Sequence, residues 1–152
     1  MRLHAEPLER IDPITLYRLL KLRVDVFVVE QRCAYPELDG RDAEPGARQF
    51  WLEEDGEVLA TLRLLPENAG TDAGTAATTV RIGRVATAGP ARSRGLAARL
   101  LAAALAESGT ADVVLDAQSH LAGWYGRFGF VASGPEFVED GIPHLPMRRS
   151  GG

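Results

Sequence analysis

A turn around residue 95, between a predicted strand and a predicted helix, has the composition of a phosphate-binding site. Its residues are Arg92, Ser93, Arg94, Gly95, Leu96, Ala97 and Ala98. The first N–H groups of a helix lack internal partners and carry partial positive charge, so they can bind phosphate. Small residues leave this main chain accessible, and the two arginines add charge. A plain connection is the alternative, because neither of the two standard glycine-rich phosphate loops is present.

A second candidate group is the phenol of Tyr125, in the string W-Y-G-R-F-G-F. A phenol has a pKa of about 10 and a free thiol about 8.5, so a phenol held beside sulfur can protonate a departing thiolate. The alternative is a tyrosine that packs on the core with its hydroxyl hydrogen-bonded. The residues alone leave both roles open.

A third candidate is the acidic segment, residues 26–42, which reads V-F-V-V-E-Q-R-C-A-Y-P-E-L-D-G-R-D. Proline and glycine interrupt it, and this pattern predicts a loop. Its carboxylates are Glu30, Glu37, Asp39 and Asp42. The segment is either a solvated loop or a negative wall that attracts a cationic amine.

An amine acceptor would require a base, because an alkyl amine is protonated at neutral pH. The candidates are Glu30, Asp39 and His144, and histidine has the most suitable unperturbed pKa. We rank Glu30 and His144 equally, since each also fits a structural or exposed role. The sequence shows no Ser-His-Asp or Cys-His nucleophile and no H-E-x-x-H metal motif. This favours direct transfer without a covalent acyl-enzyme.

These strings resemble the GNAT superfamily of acyl-CoA-dependent N-acyltransferases. Residues 92–97 fit its R/Q-x-x-G-x-G/A signature, and Tyr125 lies in a Y-x-x-x-G-F string typical of the same superfamily. The acidic segment is similar to the V-F-V-V-E-Q-x-C-x-Y-x-x-x-D-G-x-D segment of the ElaA family, and the E-D-G-I-P-H string at residues 139–144 also resembles that family. The resemblance covers most of the chain.

The resemblance implies a set of roles. The turn would wrap the diphosphate of acetyl-CoA, and Tyr125 would protonate the CoA thiolate. The edge of a splayed, often bulged fourth strand would pair with pantetheine through Val85, Ala86 and Thr87, and one of its N–H groups would polarise the thioester carbonyl. The residues expected to contact the amine are Phe27, Glu30, Asp39 and Asp42.

A helix is predicted from Asp12-Pro13 to near Val29, because aspartate caps a helix and proline suits its first position. Its apolar face is Leu16, Leu19, Leu20, Val24 and Phe27. The side chains expected to point mostly outward are those of Arg18, Lys21, Arg23 and Asp25.

Strand and helix patterns alternate along the rest of the chain. Strands are predicted within 1–11 and at 49–54, 58–65, 80–87, 113–115, 130–131, 137–138 and 145–148, and helices at 96–108 and 121–128. Asp55-Gly56 is a hairpin turn, residues 66–79 a loop and 139–144 a turn. We therefore expect one domain, residues 1–152, with a mixed α/β fold. The resemblance makes this the GNAT fold, in which helices flank a central, mixed, partly splayed sheet.

Composition excludes several classes of protein. Hydrophobic residues make up 45% of the chain, so it is not disordered, and a net charge of -4 without a basic stripe argues against nucleic acid. No apolar run approaches the roughly 18 residues of a membrane span. The single cysteine, Cys33, rules out an internal disulfide and a multi-cysteine zinc site. The start of the chain lacks a signal-peptide core, so we expect a cytoplasmic protein.

These expectations combine into one function: an ElaA-type N-acetyltransferase that transfers acetyl from acetyl-CoA to a small-molecule or peptide amine, without a metal. One alternative is an acyl-CoA-binding sensor with no chemistry. A less favoured one is an acyl-homoserine-lactone synthase, whose early helix and V-F segment look similar. The identity of the amine, the acyl chain length and a homodimeric state stay open.

Overall fold

One eight-stranded sheet organises the computed structural model, which describes residues 1–67 and 78–152. The strands are β1 (Arg2–Glu6), β2 (Arg48–Glu54), β3 (Glu57–Pro66), β4 (Thr79–Thr87), β5 (Asp112–Gln118), β6 (Val131–Ala132), β7 (Phe137–Glu139) and β8 (Ile142–Arg149). The α-helices are α1 (Pro13–Val24), α2 (Leu96–Ser108) and α3 (Ala122–Gly126). A π-helical turn spans Asp25–Glu30, and short 3-10 turns occupy Leu8–Arg10, Arg41–Ala43, Gly89–Ala91 and Ser119–Leu121.

The strand order is β1-β2-β3-β4-β5-β8-β6, with β7 also paired to β8, and among these described strands only β4 and β5 pair in parallel. The predicted mixed sheet with helices is therefore confirmed. The predicted turn at 139–144 is too long, because β8 already begins at Ile142. The predicted loop at 66–79 loses its ends to β3 and β4, and residues 68–77 lie outside the described residues.

The sheet opens between β4 and β5. The two strands pair only where Thr79–Arg81 face Asp112–Val114. Beyond this point β5 continues to Gln118 beside β8, while β4 continues to Thr87 beside β3 alone. The predicted splaying of the sheet is confirmed, and beyond Arg81 it leaves one edge of β4 without a partner strand among residues 1–67 and 78–152.

A β-bulge lies where the two strands separate. Thr61 of β3 faces Ala86, and Arg63 faces Gly83, so β4 carries one more residue than β3 between these pairs. The backbone of Arg84 has a φ of 54°, in the left-handed region that favours glycine. The extra residue reverses the alternation of side chains, as a bulge does in a regular strand.

The core has two layers, because successive side chains of a strand point to opposite faces of the sheet. The layer under α2 contains Phe50, Leu52, Leu62, Leu64, Ile82, Leu96, Leu100, Val113 and Leu115. The layer under α1 contains Ile11, Leu19, Leu22, Val26, Trp51, Val58 and Ala86. Thus Ile82 and Ala86, four residues apart on β4, belong to opposite layers, as the bulge requires.

The first helix begins as predicted. The Asp12 carboxylate accepts the N–H of Thr15 at 2.9 Å, and Pro13 takes the first helical position. The helix then continues as a π turn, in which the N–H of Gln31 donates to the carbonyl of Val26 at 3.2 Å. The expected end near Val29 is confirmed to within a residue. Assigning residues 26–30 to a loop was wrong.

Arg23 points inward, and the expectation that it faces solvent was wrong. The residue is 0% exposed. Its guanidinium donates to Glu37 Oε2 at 2.8 Å and to Asp42 Oδ1 at 2.6 Å, and Gln49 donates to the same Asp42 oxygen at 2.8 Å. These carboxylates lie 14 and 19 residues further along the chain, beyond the reach of a helical pattern.

Replacing Arg23 by leucine should lower the free energy of unfolding by about 3–5 kcal/mol, because Glu37 and Asp42 would stay buried without their cation. Urea-induced unfolding measures this change. The matched control is Lys21→Leu on the same helix, since the Lys21 ammonium pairs with Asp25 in solvent and its loss should matter far less. Small and equal losses for both variants would contradict a structural role of the buried pairs.

Candidate functional site

The two predicted chemical groups follow the two strands that separate. The turn and α2 come after β4, which ends at Thr87, and Tyr125 in α3 comes after β5, which ends at Gln118. Parallel strands place their carboxyl ends at one edge of the sheet, where ligand crevices form. A groove of about 220 Å³ opens there. It is lined by Thr87, Ala91, Arg92, Ser93, Gly95, Leu96, Ala97, Ala98 and Trp124.

The start of α2 presents unpartnered N–H groups to this groove. Gly95 precedes the helix with a φ of 74°, and no side chain caps it. The first N–H that bonds back is that of Arg99, to the Gly95 carbonyl at 3.2 Å. Within the described residues, the N–H groups of Leu96, Ala97 and Ala98 have no protein partner. This geometry suits an anion.

Both arginines of the turn are held by carboxylates. Arg92 donates to both Glu30 oxygens, at 2.8 and 2.5 Å, and its Nε donates to the Thr87 carbonyl at 3.2 Å. Arg94 donates to Glu54 at 3.2 Å. The hydrogen bond from Arg92 lowers the pKa of Glu30. An anion in the groove must therefore compete with Glu30 for Arg92, and the paired Glu30 is a poor base.

The ring of Tyr125 is packed while its hydroxyl has no hydrogen-bond partner among the described residues. The residue is 6% exposed and meets Trp124 and Phe130 edge to face, with ring centroids 4.9 and 6.0 Å away. Burial raises the pKa of Tyr125 to about 12. At neutral pH the phenol therefore keeps its proton. Its hydroxyl also lacks, within the described residues, the protein hydrogen bond that a purely structural buried tyrosine usually makes.

The edge of β4 expected to receive a ligand lies open to the cleft. Ala86 and Thr87 pair with Thr61 and Ala60 of β3 on one side. On the other side no strand of the described chain follows Val85–Thr87, since pairing with β5 stops at Arg81. An extended ligand can add to such an edge through main-chain hydrogen bonds.

Of the two alternatives for the acidic segment, the negative wall is contradicted at Glu37 and Asp42. Asp42 is 8% exposed and Glu37 is 3% exposed, and arginines neutralise both. Assigning Asp42 to substrate binding is therefore corrected, because its oxygens are buried against Arg23. Asp39 is paired with Arg63 and with Arg84. Desolvation opposes ionisation there, but hydrogen bonds and charge from these arginines prevail and lower the pKa of Asp39 to about 2.

His144 lies beside the end of β5, directly opposite Gln118. Its Nδ1 is 2.8 Å from the Ile142 carbonyl oxygen, and its ring stacks on Phe137. A carbonyl oxygen can only accept, so Nδ1 carries the hydrogen in this contact and Nε2 is left as a proton acceptor. Phe27 is half-buried against the layer under α1.

The sequence patterns did not indicate the contacts that connect the acidic segment to the end of β5 and to the β7–β8 turn. Gln118 donates to the Gln31 side chain at 3.2 Å, across 87 residues of chain. The Cys33 sulfur lies 3.5 Å from the Asp140 carbonyl oxygen, which connects the acidic segment to the β7–β8 turn. No local pattern marks such pairs, because their partners are distant in sequence.

Comparison with known proteins agrees with this geometry. The family model described as an acetyltransferase (GNAT) domain matches residues 23–150. A UPF0039 protein of Mycobacterium tuberculosis is 54% identical over 142 residues, which cover 93% of this chain and 88% of the relative. ElaA of Escherichia coli is 36% identical over 139 residues, which cover 88% of this chain and 86% of ElaA.

Solved structures show the same fold. The crystal structure of an acyl-CoA N-acyltransferase from Pseudomonas aeruginosa has a TM-score of 0.88 at 38% identity, covering 99% of this chain and 100% of that chain. The crystal structure of E. coli ElaA also has a TM-score of 0.88, at 31% identity, covering 98% of this chain and 99% of that one.

The chain therefore belongs to the GNAT acetyltransferase family. Its relatives within that family include ElaA, so the resemblance and the GNAT fold expected from the sequence are both confirmed. Across residues 1–67 and 78–152, no helix is long and apolar enough to span a membrane.

A bulky side chain at residue 95 should weaken CoA binding, because it would occupy the open space above the free N–H groups. Gly95→Leu should lower CoA affinity roughly tenfold or more, measured by calorimetric titration. Gly141→Leu is the matched control: Gly141 has a φ of 78° against 74° for Gly95, and a Cβ at either glycine meets nothing within 4 Å. Equal affinities of the two variants would remove Gly95 from the site.

Proposed function

We propose that this protein transfers the acetyl group of acetyl-CoA to the primary amine of a small molecule or peptide. The observation that carries the proposal is a groove at the carboxyl end of β4, which is lined by Thr87, by the start of α2 with its free N–H groups, and by α3. Trp124, the neighbour of Tyr125, lines the same groove as the turn. Family membership supplies the prior expectation of an acyl-CoA substrate.

Different residues around the groove would bind different parts of acetyl-CoA. The N–H groups of Leu96–Ala98 would hold the diphosphate, as helix starts hold anions. Arg92 would exchange Glu30 for phosphate, which costs little because both side chains are largely exposed, at 43% and 49%. The open edge at Val85–Thr87 would pair with the pantetheine arm.

Acetyl-CoA supplies an activated acyl carbon and a thiolate leaving group. As the amine nitrogen bonds to that carbon, a main-chain N–H of the β4 edge would stabilise the negative charge on the carbonyl oxygen. When the carbon–sulfur bond breaks, the Tyr125 hydroxyl would give its proton to sulfur. Burial favours the neutral phenol, and for the same reason a thiolate buried beside it would take up a proton readily.

His144 suits the role of base better than Glu30 does. Its Nε2 is the acceptor nitrogen of a tautomer that the Ile142 carbonyl selects. Glu30 instead starts in an ion pair that lowers its pKa. When phosphate binds Arg92, the Glu30 carboxylate would be released and would attract the ammonium form of the acceptor. His144, or a water molecule beside His144, would then remove a proton from that ammonium group.

The test of this function is a thiol-release screen with acetyl-CoA against polyamines, aminoglycosides, amino acids and peptide N-termini. Turnover with one of these amines supports the proposal. Binding of acetyl-CoA without release of CoA thiol by any amine would favour the sensor. Activity only with acyl carrier protein and S-adenosylmethionine would favour a lactone synthase. Either of these two results would overturn the proposal.

Tyr125→Phe should lower kcat by roughly a hundredfold or more and leave acetyl-CoA affinity unchanged, because it removes the proton donor and keeps the packed ring. The assay is thiol release under saturating substrate. Tyr17→Phe is the control, since Tyr17 is 71% exposed on α1. Full activity of Tyr125→Phe would end the assignment of the acid.

Glu30→Gln should raise the KM for the amine without weakening acetyl-CoA binding, because Arg92 loses a competitor of the diphosphate. His144→Gln should instead lower kcat, because it removes the acceptor nitrogen Nε2 and leaves the ion pair of Glu30 intact. Equal loss of both affinities in Glu30→Gln would indicate a folding defect. Full kcat in His144→Gln together with a lowered kcat in Glu30→Gln would make Glu30 the base.

A further inference from the structure

We propose that Arg84 is a positioning residue, whose side chain ties the bulge of β4 to the acidic segment and thereby sets the edge that receives the pantetheine arm. This inference rests on the proposed function. It assigns no contact between Arg84 and a substrate. It concerns how the chain holds Val85–Thr87 away from β5.

The backbone at Arg84 is costly for any residue with a side chain. Its φ of 54° is in the region that glycine enters freely, and a bulge of this kind commonly has glycine there. Gly83 is adjacent in sequence, yet the positive φ falls on the arginine. An arginine in this conformation persists when its surroundings determine it.

Those surroundings are contacts with one short stretch of the acidic segment. Arg84 Nη2 donates to the Glu37 carbonyl at 3.1 Å and to Asp39 Oδ2 at 3.2 Å. Its Nε lies 2.7 Å from Glu37 Oε1, as an ion pair without hydrogen-bond angles. The guanidinium also lies over the Tyr35 ring, 5.7 Å from the centroid. All these partners belong to residues 35–39.

The stretch is itself fixed to two other elements. Arg23 of α1 holds Glu37, and Arg63 of β3 holds Asp39 through two hydrogen bonds of 2.8 and 3.0 Å. Arg84 thus attaches the bulge to a support shared by α1 and β3. Such a support resists movement of β4 toward β5, where the strands have no pairing of their own beyond Arg81.

Loss of the Arg84 contacts should therefore weaken the binding of the pantetheine arm of acetyl-CoA more than the binding of its diphosphate. The pantetheine arm would meet an edge that is no longer held in place, whereas the diphosphate meets N–H groups at the start of α2, beyond the end of β4. A misplacement of about 1 Å at a reacting group costs on the order of a hundredfold in rate. A general loss of folding would instead weaken the binding of both the pantetheine arm and the diphosphate.

The experiment compares two probes: acetyl-CoA, and adenosine 3′-phosphate 5′-diphosphate, which is the CoA head group without the arm. For Arg84→Gly, which allows the same φ, we expect acetyl-CoA affinity to fall roughly tenfold while head-group affinity stays within about twofold. We expect kcat to fall as well. The inference would be overturned if acetyl-CoA affinity and kcat stayed unchanged. It would also be overturned if the affinities for both probes fell equally.

Arg48→Ala is the matched control, because it also removes an arginine paired with a carboxylate, here Glu107 through two hydrogen bonds, at a site on β2 away from the bulge. It should leave both affinities and kcat unchanged. Should Arg84→Gly fail to fold, Arg84→Lys replaces it, with a smaller but still selective loss expected for acetyl-CoA. Wild-type protein that binds neither probe would reject the proposed function itself, and the inference with it.

Discussion

The brief pairing of β4 with β5 is the constraint on which the rest of the site depends. Three residues of each strand are paired, and then the strands part. The gap exposes the main chain of β4 beyond Arg81 and directs the carboxyl ends of two parallel strands toward one crevice, and α3 with Tyr125 follows the second of these strands. A regular sheet of the same composition would hydrogen-bond this edge internally and would have no place for an extended ligand.

The inferred support of β4, at the point where it separates from β5, is a network of paired and mostly buried charges. Arg23, Arg63 and Arg84 come from three different elements, and they converge on three carboxylates of one loop. Burying ions is costly unless each is paired, so a network of this kind contributes more to a unique arrangement than to stability. Three acidic residues of the segment, Glu37, Asp39 and Asp42, serve instead as an internal support. This leaves Glu30 as the one carboxylate of the segment's four that pairs at the groove.

The sequence predicted the features that have local causes. Asp55-Gly56 specifies its hairpin through its own backbone preferences, and the small residues at the start of α2 mark the free N–H groups. The outward orientation predicted for Arg23 was wrong because a helical pattern shows only that the residue is polar. It does not show the carboxylates that bind the guanidinium, which lie 14 and 19 residues further along the chain. The conformation of Arg84 has no local signal either, since glycine stands next to it and only tertiary contacts select the arginine.

The π turn and the bulge share a further consequence. Each is equivalent to one residue inserted into an otherwise regular element: the π turn directly follows α1 and contacts β4, and the bulge lies in β4. Shortening either element by a single codon would restore its ordinary period and rotate every later side chain of that element. In a comparison of homologous genes, a length change of one residue at the bulge would therefore separate chains that keep the open edge of β4 from chains that have lost it.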